Sequence, residues 1–256
     1  MARVLVTNDD GVDSEGICRL AAVALDRGLD VVVAAPAWDT SGASASLTAV
    51  QRDGQLSIDP RSFAELPGVP VYAVEAAPAF IVRAAAAGAF GPVPDVVLSG
   101  INNGPNTGHA ILHSGTVGAA LTAATFGLRS VAVSIGAAPQ PHWSTAATFA
   151  ATALDWLLGS EEAAVLNVNV PDVPVAEVRG FERVRLATFG AVQTNVTETG
   201  EGYVKLAYEP IEAGFEPGTD AAAFRDGRAC FTALVGVCEA SLSIPDTLGE
   251  RSTTAS

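Results

Sequence analysis

The chain has 256 residues, 49% of them hydrophobic, with 14 Lys and Arg against 28 Asp and Glu, a formal net charge of -14. That length and a mean hydropathy of +0.33 exclude a disordered chain and suffice for a core without disulfide or metal staples; 25 Gly and 15 Pro without a triplet period exclude collagen. The negative field repels phosphate backbones and anionic lipid, so it excludes sequence-independent binding to a nucleic-acid duplex; a small phosphate-bearing substrate needs a local positive centre such as a bound metal ion.

Arg3–Thr7 is a short β-branched run that ends at Asn8-Asp9-Asp10-Gly11, a strand followed by a turn. Ser14–Arg27 carries Ile17, Cys18, Leu20, Ala21, Ala24 and Leu25 at helical spacing, with Asp13 or Ser14 as cap. Strands follow at Val31–Ala35, stopped by Pro36, and at Val71–Val74. Pro78 starts a helix over the Ala-rich stretch Ala79–Ala87. Val96–Ser99 is a strand, Thr116–Phe126 a helix, Val131–Ile135 a strand, Ser144–Leu158 a helix and Val165–Val170 a strand.

Near-continuous apolar strands alternating with helices predict an α/β core, a parallel sheet with helices on both faces. After Pro171 the pattern changes. Val184–Ala187, Gly202–Tyr208 and Ala229–Val235 are short β-like runs between Gly/Pro-rich loops, which predict a small antiparallel appendage. The expected organisation is one domain over 1–243, with a core to about 175 and a β-rich appendage over about 176–243, then a polar, flexible tail over 244–256.

Cys18, Cys230 and Cys238 form no CxxC pair, so they are neither a disulfide framework nor a zinc site. No secretory leader pattern and no run of 18 apolar residues is present, which predicts a soluble cytoplasmic protein outside the membrane.

In parallel sheets, ligands bind beyond the carboxyl ends of the strands. Asn8-Asp9-Asp10-Gly11 places two adjacent carboxylates there; either they converge on one cation, or the segment is a turn and helix cap. Thr40–Ser46 is a small hydroxyl-rich loop around Gly42, a close-approach site or a plain surface loop. Ser99–Gly108 holds three Gly and three Asn, suited to unusual backbone conformations and side-chain oxygen ligation, or to a long turn. His113–Ala120 opens a helix whose free N–H groups attract phosphate, unless Ser114 or Thr116 is simply its cap.

The other familiar signatures are missing. The helix start lacks the GK[ST] ending of a P-loop, His109 and His113 have no HExxH glutamate, and neither GxGxxG nor GxSxG occurs after a strand. The first three loops together offer only oxygen, which selects Mg²⁺, Mn²⁺ or Ca²⁺. Beside an anion-friendly helix start, that donor set points to metal-assisted phosphoryl hydrolysis.

VLVTNDDG (4–11), SGAS (41–44), SGINNGPNTG (99–108), SGTVGAA (114–120), LNVNVPDVP (166–174) and PGTD (217–220) occur in this order. In this the chain resembles the SurE family, the stationary-phase survival proteins, which are metal-dependent nucleotidases. The resemblance spans about 220 residues and implies a Rossmann-like core whose β appendage serves homodimers or homotetramers. It implies one divalent cation per subunit (Mg, Mn or Ca) held by Asp9, Asp10, Ser41 and Asn102, with Asp9 and Asp10 as catalytic carboxylates. Asn106, Ser114, Gly115 and Thr116 would lie near the phosphate. The implied reaction is hydrolysis of nucleoside 5′-monophosphates, with 3′-monophosphates and short polyphosphate as further family substrates. Ala37-Trp38-Asp39-Thr40 stands where relatives usually carry basic residues, and Glu75–Ala79 lacks the acidic residue often found after its Pro. Two readings from other classes stand beside the enzyme: a metal- and nucleotide-binding sensor without turnover, and a structural dimerisation domain.

Overall fold

A computed structural model of the chain describes residues 1–160, 165–190, 192–210 and 214–239. Its elements run β1 (Arg3–Thr7), α1 (Glu15–Leu25), β2 (Asp30–Pro36), β3 (Gln51–Arg52), β4 (Gln55–Leu56), β5 (Ile58–Arg61), β6 (Val71–Val74) and α2 (Pro78–Ala86). There follow β7 (Val96–Asn103), α3 (Gly115–Thr125), β8 (Arg129–Ile135), α4 (Trp143–Gly159), β9 (Val165–Val170), β10 (Phe181–Arg183), β11 (Val192–Gly200), β12 (Tyr203–Pro210), α5 (Asp220–Arg225) and β13 (Ala229–Leu234). A short 3₁₀ segment, Gly108–His113, precedes α3.

Among the described residues, nine strands form one sheet in the order β10-β13-β9-β8-β7-β1-β2-β6-β5. The six strands from β9 to β6 are mutually parallel, in keeping with their largely apolar, buried sequences. Val4, Val6, Leu98, Val131 and Val133 pack on one face with Ile17 and Leu20 of α1 and Leu154 and Leu157 of α4. Leu5, Val32 and Val97 pack on the other with Ile81 and Val82 of α2 and Ala119 and Ala123 of α3. From β1 the chain moves outward to β2 and β6, then returns to place β7 on the opposite side of β1. The crevice beyond the carboxyl ends of β1 and β7 is therefore the sheet's switch point, where such sheets bind ligands.

Past Pro171 the structure departs from the sequence expectation. Ala229–Leu234 extends the central sheet, antiparallel to β9, and β10 pairs with it in parallel. Val184–Ala187 is no strand; Arg185 makes an isolated bridge to Thr219, and the strand lies just before it. Among the described residues past Pro171, β11 and β12 form a separate antiparallel hairpin, with a register shift between Val196 and Glu198. The proposed tail, 244–256, lies outside the described residues.

Candidate active site

Asp9 leaves the end of β1 almost fully buried. The Thr116 hydroxyl donates to its Oδ1, and the Thr116 backbone N–H also donates to the carboxylate. The start of α3 thus already faces one anion, the protein's own, at the end of the helix where N–H groups are free. Gly115 makes this approach possible. A Cβ on Gly115 would lie 2.7 Å from both Cβ and Oδ2 of Asp9. Burial pushes the Asp9 carboxyl above its ordinary range, against the opposing hydrogen bonds from Thr116.

Asp10 turns toward β7, where the Asn103 backbone N–H donates to its carboxylate. Burial, and then the neighbouring Asp9 charge, raise the Asp10 carboxyl to about 6. Its Oδ2 is buried without a hydrogen-bond partner. A desolvated, unpartnered carboxylate oxygen beside a second carboxylate is unfavourable unless a cation covers it. Asp39 adds a weaker repulsion to both carboxyls.

The 40–41 turn is tied directly to this pair. The Thr40 N–H and hydroxyl donate to the Asp9 carbonyl at 2.7 and 3.2 Å. Ser41 follows, exposed, with its N–H on Asp39 Oδ1 at 2.8 Å. Ser44 Oγ donates to the Leu112 carbonyl at 2.5 Å, fastening the same loop to the segment before α3.

Asn102 lies within β7 rather than in a loop after Ser99. A register shift between Ser99 and Asn102 lets the strand continue past Gly100, whose missing Cβ would sit 2.3 Å from the Val133 carbonyl oxygen. Asn102 Nδ2 donates to the Gly104 carbonyl at 2.7 Å, which leaves Oδ1 as its acceptor atom. Asn106 is clamped: its N–H donates to Asn169 Oδ1, its carbonyl accepts from Asn167 and Asn169, and its Nδ2 donates to Ser134 Oγ, at 2.7–2.8 Å.

Thus Asp9, Gly115 and Thr116 are in contact, Asp10 is bonded to β7, and Ser41 follows the Thr40 that is bonded to the Asp9 carbonyl. Ser114 Oγ accepts from Val117 N–H at 3.1 Å and caps α3. Since the Ser114 and Thr116 hydroxyls are engaged within the protein, what that stretch has left for a phosphate is backbone N–H.

Sequence reasoning gave no role to three buried groups that hold the Asn106 loop. Asn167 and Asn169 are 0% exposed, and two Asn alternating with apolar residues in VLNVNV was the available signal. Asp220, also 0% exposed, accepts from Gly108 N–H and Ala187 N–H at 2.8 Å; it is the Asp of PGTD.

Among the described residues, no three His, Cys, Asp or Glu side chains gather to hold a metal. A cation here would rest on two carboxylates and neutral oxygens, the donor set of a hard ion. His109 and His113 are exposed on the 3₁₀ segment, away from a helical i,i+4 face.

Residues 4–192 match the family model described as survival protein SurE. The chain belongs to the SurE family. A relative from Stenotrophomonas maltophilia named 5′-nucleotidase SurE is 38% identical over 241 residues, 91% of this chain and 89% of its own. One from Proteus mirabilis named 5′/3′-nucleotidase SurE is 38% identical over 201 residues, 78% of this chain and 75% of its own. The crystal structure of a SurE protein from Aquifex aeolicus has a TM-score of 0.75 and 30% identity, covering 91% of this chain and 93% of that one. SurE membership and the nine-stranded α/β sheet agree with the resemblance read from the motifs. No helix among the described residues is long and apolar enough to cross a membrane.

Proposed function

We propose that this SurE chain is a divalent-metal-dependent phosphatase that hydrolyses nucleoside 5′-monophosphates, and 3′-monophosphates as a secondary substrate. The observation that carries the reading is the buried Asp9–Asp10 pair, with an unpartnered Asp10 oxygen, set against the N–H groups that open α3. The names of relatives covering most of this chain support the substrate class.

Asp9, Asp10, Ser41 Oγ and Asn102 Oδ1 would hold one Mg²⁺, Mn²⁺ or Ca²⁺. Bound there, such an ion supplies positive charge that lowers the pKa of a coordinated water and screens the substrate phosphate from the carboxylates. The protein's part is positional. Thr116 fixes Asp9 through two hydrogen bonds, so that Asp9 presents a held oxygen to orient or deprotonate the attacking water. The Gly115 N–H at the start of α3 faces the phosphate and stabilises charge developing on its oxygens. The Asn167 and Asn169 amides hold the Asn106 backbone, so its loop keeps its shape as substrate enters.

Assembly as a homodimer or homotetramer is part of this reading. Val196, Tyr203, Val204 and Leu206 of the β11–β12 hairpin are 47–60% exposed, and a lone two-stranded hairpin is marginal in water without a covering surface. A cytoplasmic site of action is part of this reading and fits a sequence with three cysteines and no CxxC pair.

Phosphate release from nucleoside monophosphates with Mg²⁺, Mn²⁺ or Ca²⁺, and then with EDTA, tests the proposal. Release should require metal, and Asp9→Asn should remove it by at least ~10²-fold in a folded chain. Binding without release would leave a sensor, and full turnover in Asp9→Asn would refute the assignment.

A further inference from the structure

The turn that carries Ser41 has a second side. A cavity of about 320 Å³ opens there, walled by Trp38, Ser41, Thr48, Glu75 and Ala77. It reaches the low end of the range typical of small-ligand sites. Ser41 belongs to both the cavity wall and the proposed metal shell, so the cavity adjoins the place proposed for the phosphate at Asp9 and Asp10.

Each wall is held in place. The carbonyl carbon of Trp38 packs where a Cβ on Gly11 would come within 3.2 Å, so this residue is seated directly on the Asn8–Gly11 turn. Trp38 is nevertheless 47% exposed. Glu75 follows β6, with its carbonyl accepting from Val50 N–H at 2.8 Å and its N–H donating to Ser57 at 3.2 Å. Glu75 is half-buried and lines the cavity, and its carboxylate has no hydrogen-bond or ion-pair partner among the described residues. Ala76 and Ala77 add small side chains to the lining, which contains no Lys or Arg.

We infer that this cavity is the nucleobase subsite and that Glu75 selects guanine, an inference that rests on the nucleotidase reading above. An indole face stacks any base. The carboxylate does not accept every base, because it offers acceptors only. Guanine presents N1–H and the 2-amino group side by side, two parallel donors that match the two carboxylate oxygens. Adenine sets its N1 acceptor beside the 6-amino group, and cytosine its N3 acceptor beside the 4-amino group. Each turns a lone pair toward a negative oxygen. Uracil has one N–H between two carbonyls. Trp38 and Glu75 therefore supply stacking and an edge-specific contact, and the segments carrying them are those in which this chain departs from the SurE pattern.

Two measurements separate this inference from the reading beneath it. Intrinsic fluorescence from the three tryptophans is titrated with guanosine and with adenosine, neither of which carries a phosphate. Guanosine should quench and bind at least tenfold more tightly than adenosine. Trp38→Phe should abolish the quench, and Glu75→Gln should cut the guanosine preference at least tenfold. In parallel, the ratio of kcat/KM for GMP to that for AMP should exceed ten and fall by a similar factor in Glu75→Gln. Equal affinity for the two nucleosides overturns the subsite, as does a preference that survives Glu75→Gln or a quench that survives Trp38→Phe. Absence of phosphate release from every nucleotide overturns the nucleotidase reading instead, and the nucleoside titration then still decides whether the cavity takes guanine.

Discussion

Gly115→Ala isolates the contact between α3 and Asp9. The added Cβ would lie 2.7 Å from Asp9 Cβ and Oδ2 and 3.0 Å from Cγ, against about 3.5–4.0 Å for a relaxed carbon contact. Rotating the carboxylate moves Oδ2 but not Cβ, which is fixed to the backbone. The helix start and the turn after β1 must therefore separate by roughly 1 Å. Overpacking of this kind costs about 1–3 kcal/mol, while replacing a helical Gly returns at most about 1 kcal/mol. The expected net loss is about 1–2 kcal/mol in urea unfolding. Function should suffer more, because a displacement near 1 Å at a reacting group costs on the order of 10²-fold. The assay is metal-dependent phosphate release, alongside calorimetric titration of Mn²⁺. Gly159→Ala is the control, since a Cβ there meets nothing within 4 Å. A Gly115→Ala protein with unaltered kcat/KM and Mn²⁺ affinity would refute the claim that this glycine exists to admit Asp9.

Asp10→Asn removes a buried charge whose folded pKa stands at about 6 against an ordinary 3.8. In metal-free protein the change should stabilise, by roughly 1–3 kcal/mol at pH 7. The same substitution should shrink the rise in Tm that Mn²⁺ gives the wild type, read by scanning calorimetry with and without EDTA. Asp220→Ala strands the Gly108 and Ala187 N–H groups in the interior and should cost about 2–5 kcal/mol in urea unfolding, with Asp220→Asn losing less because one acceptor remains. Burial pushes the Cys230 thiol up to about 12 from 9.0, while Cys238 is exposed. A maleimide at pH 8.5 should label Cys238 within the native chain and Cys230 only after unfolding, read by mass spectrometry. The unfolded Cys230 thiol loses its proton near pH 9 and the folded one near 12. Its contribution to stability is therefore complete below 9 and drains away between those values, and Cys230→Ala should flatten the fall in urea midpoint over that range.

The parallel core was legible because its strands are buried on both faces. Val4–Val6, Val31–Ala35 and Val131–Val133 are unbroken apolar runs, and the helices between the strands show a clear 3.6-residue period. The edges were not legible. Phe181–Arg183 is exposed at every position, so no periodicity marks it, and β13 reveals its place only through pairing with β9. Ser99–Asn103 looked like a loop because Gly and Asn are loop residues; Gly100 serves there to let β7 pass Val133. In the site, the carboxylates and the helix start could be read from residue type. The polar groups that hold the neighbouring 106–108 segment could not, since Asn167, Asn169 and Asp220 act across 61 to 112 positions of chain.

That separation has a consequence for how the centre comes into being. The 106–108 segment borrows its shape from two amides on β9 and one carboxylate at the start of α5. While a nascent chain has yet to deliver residue 220, Asp9 and Thr116 can already meet, but the neighbouring strand exit stands without its last brace, the carboxylate that holds Gly108. Competence therefore arrives late in synthesis, after the sheet's central strands are in place, and a ribosome-stalled fragment ending before that aspartate would hold half a catalyst.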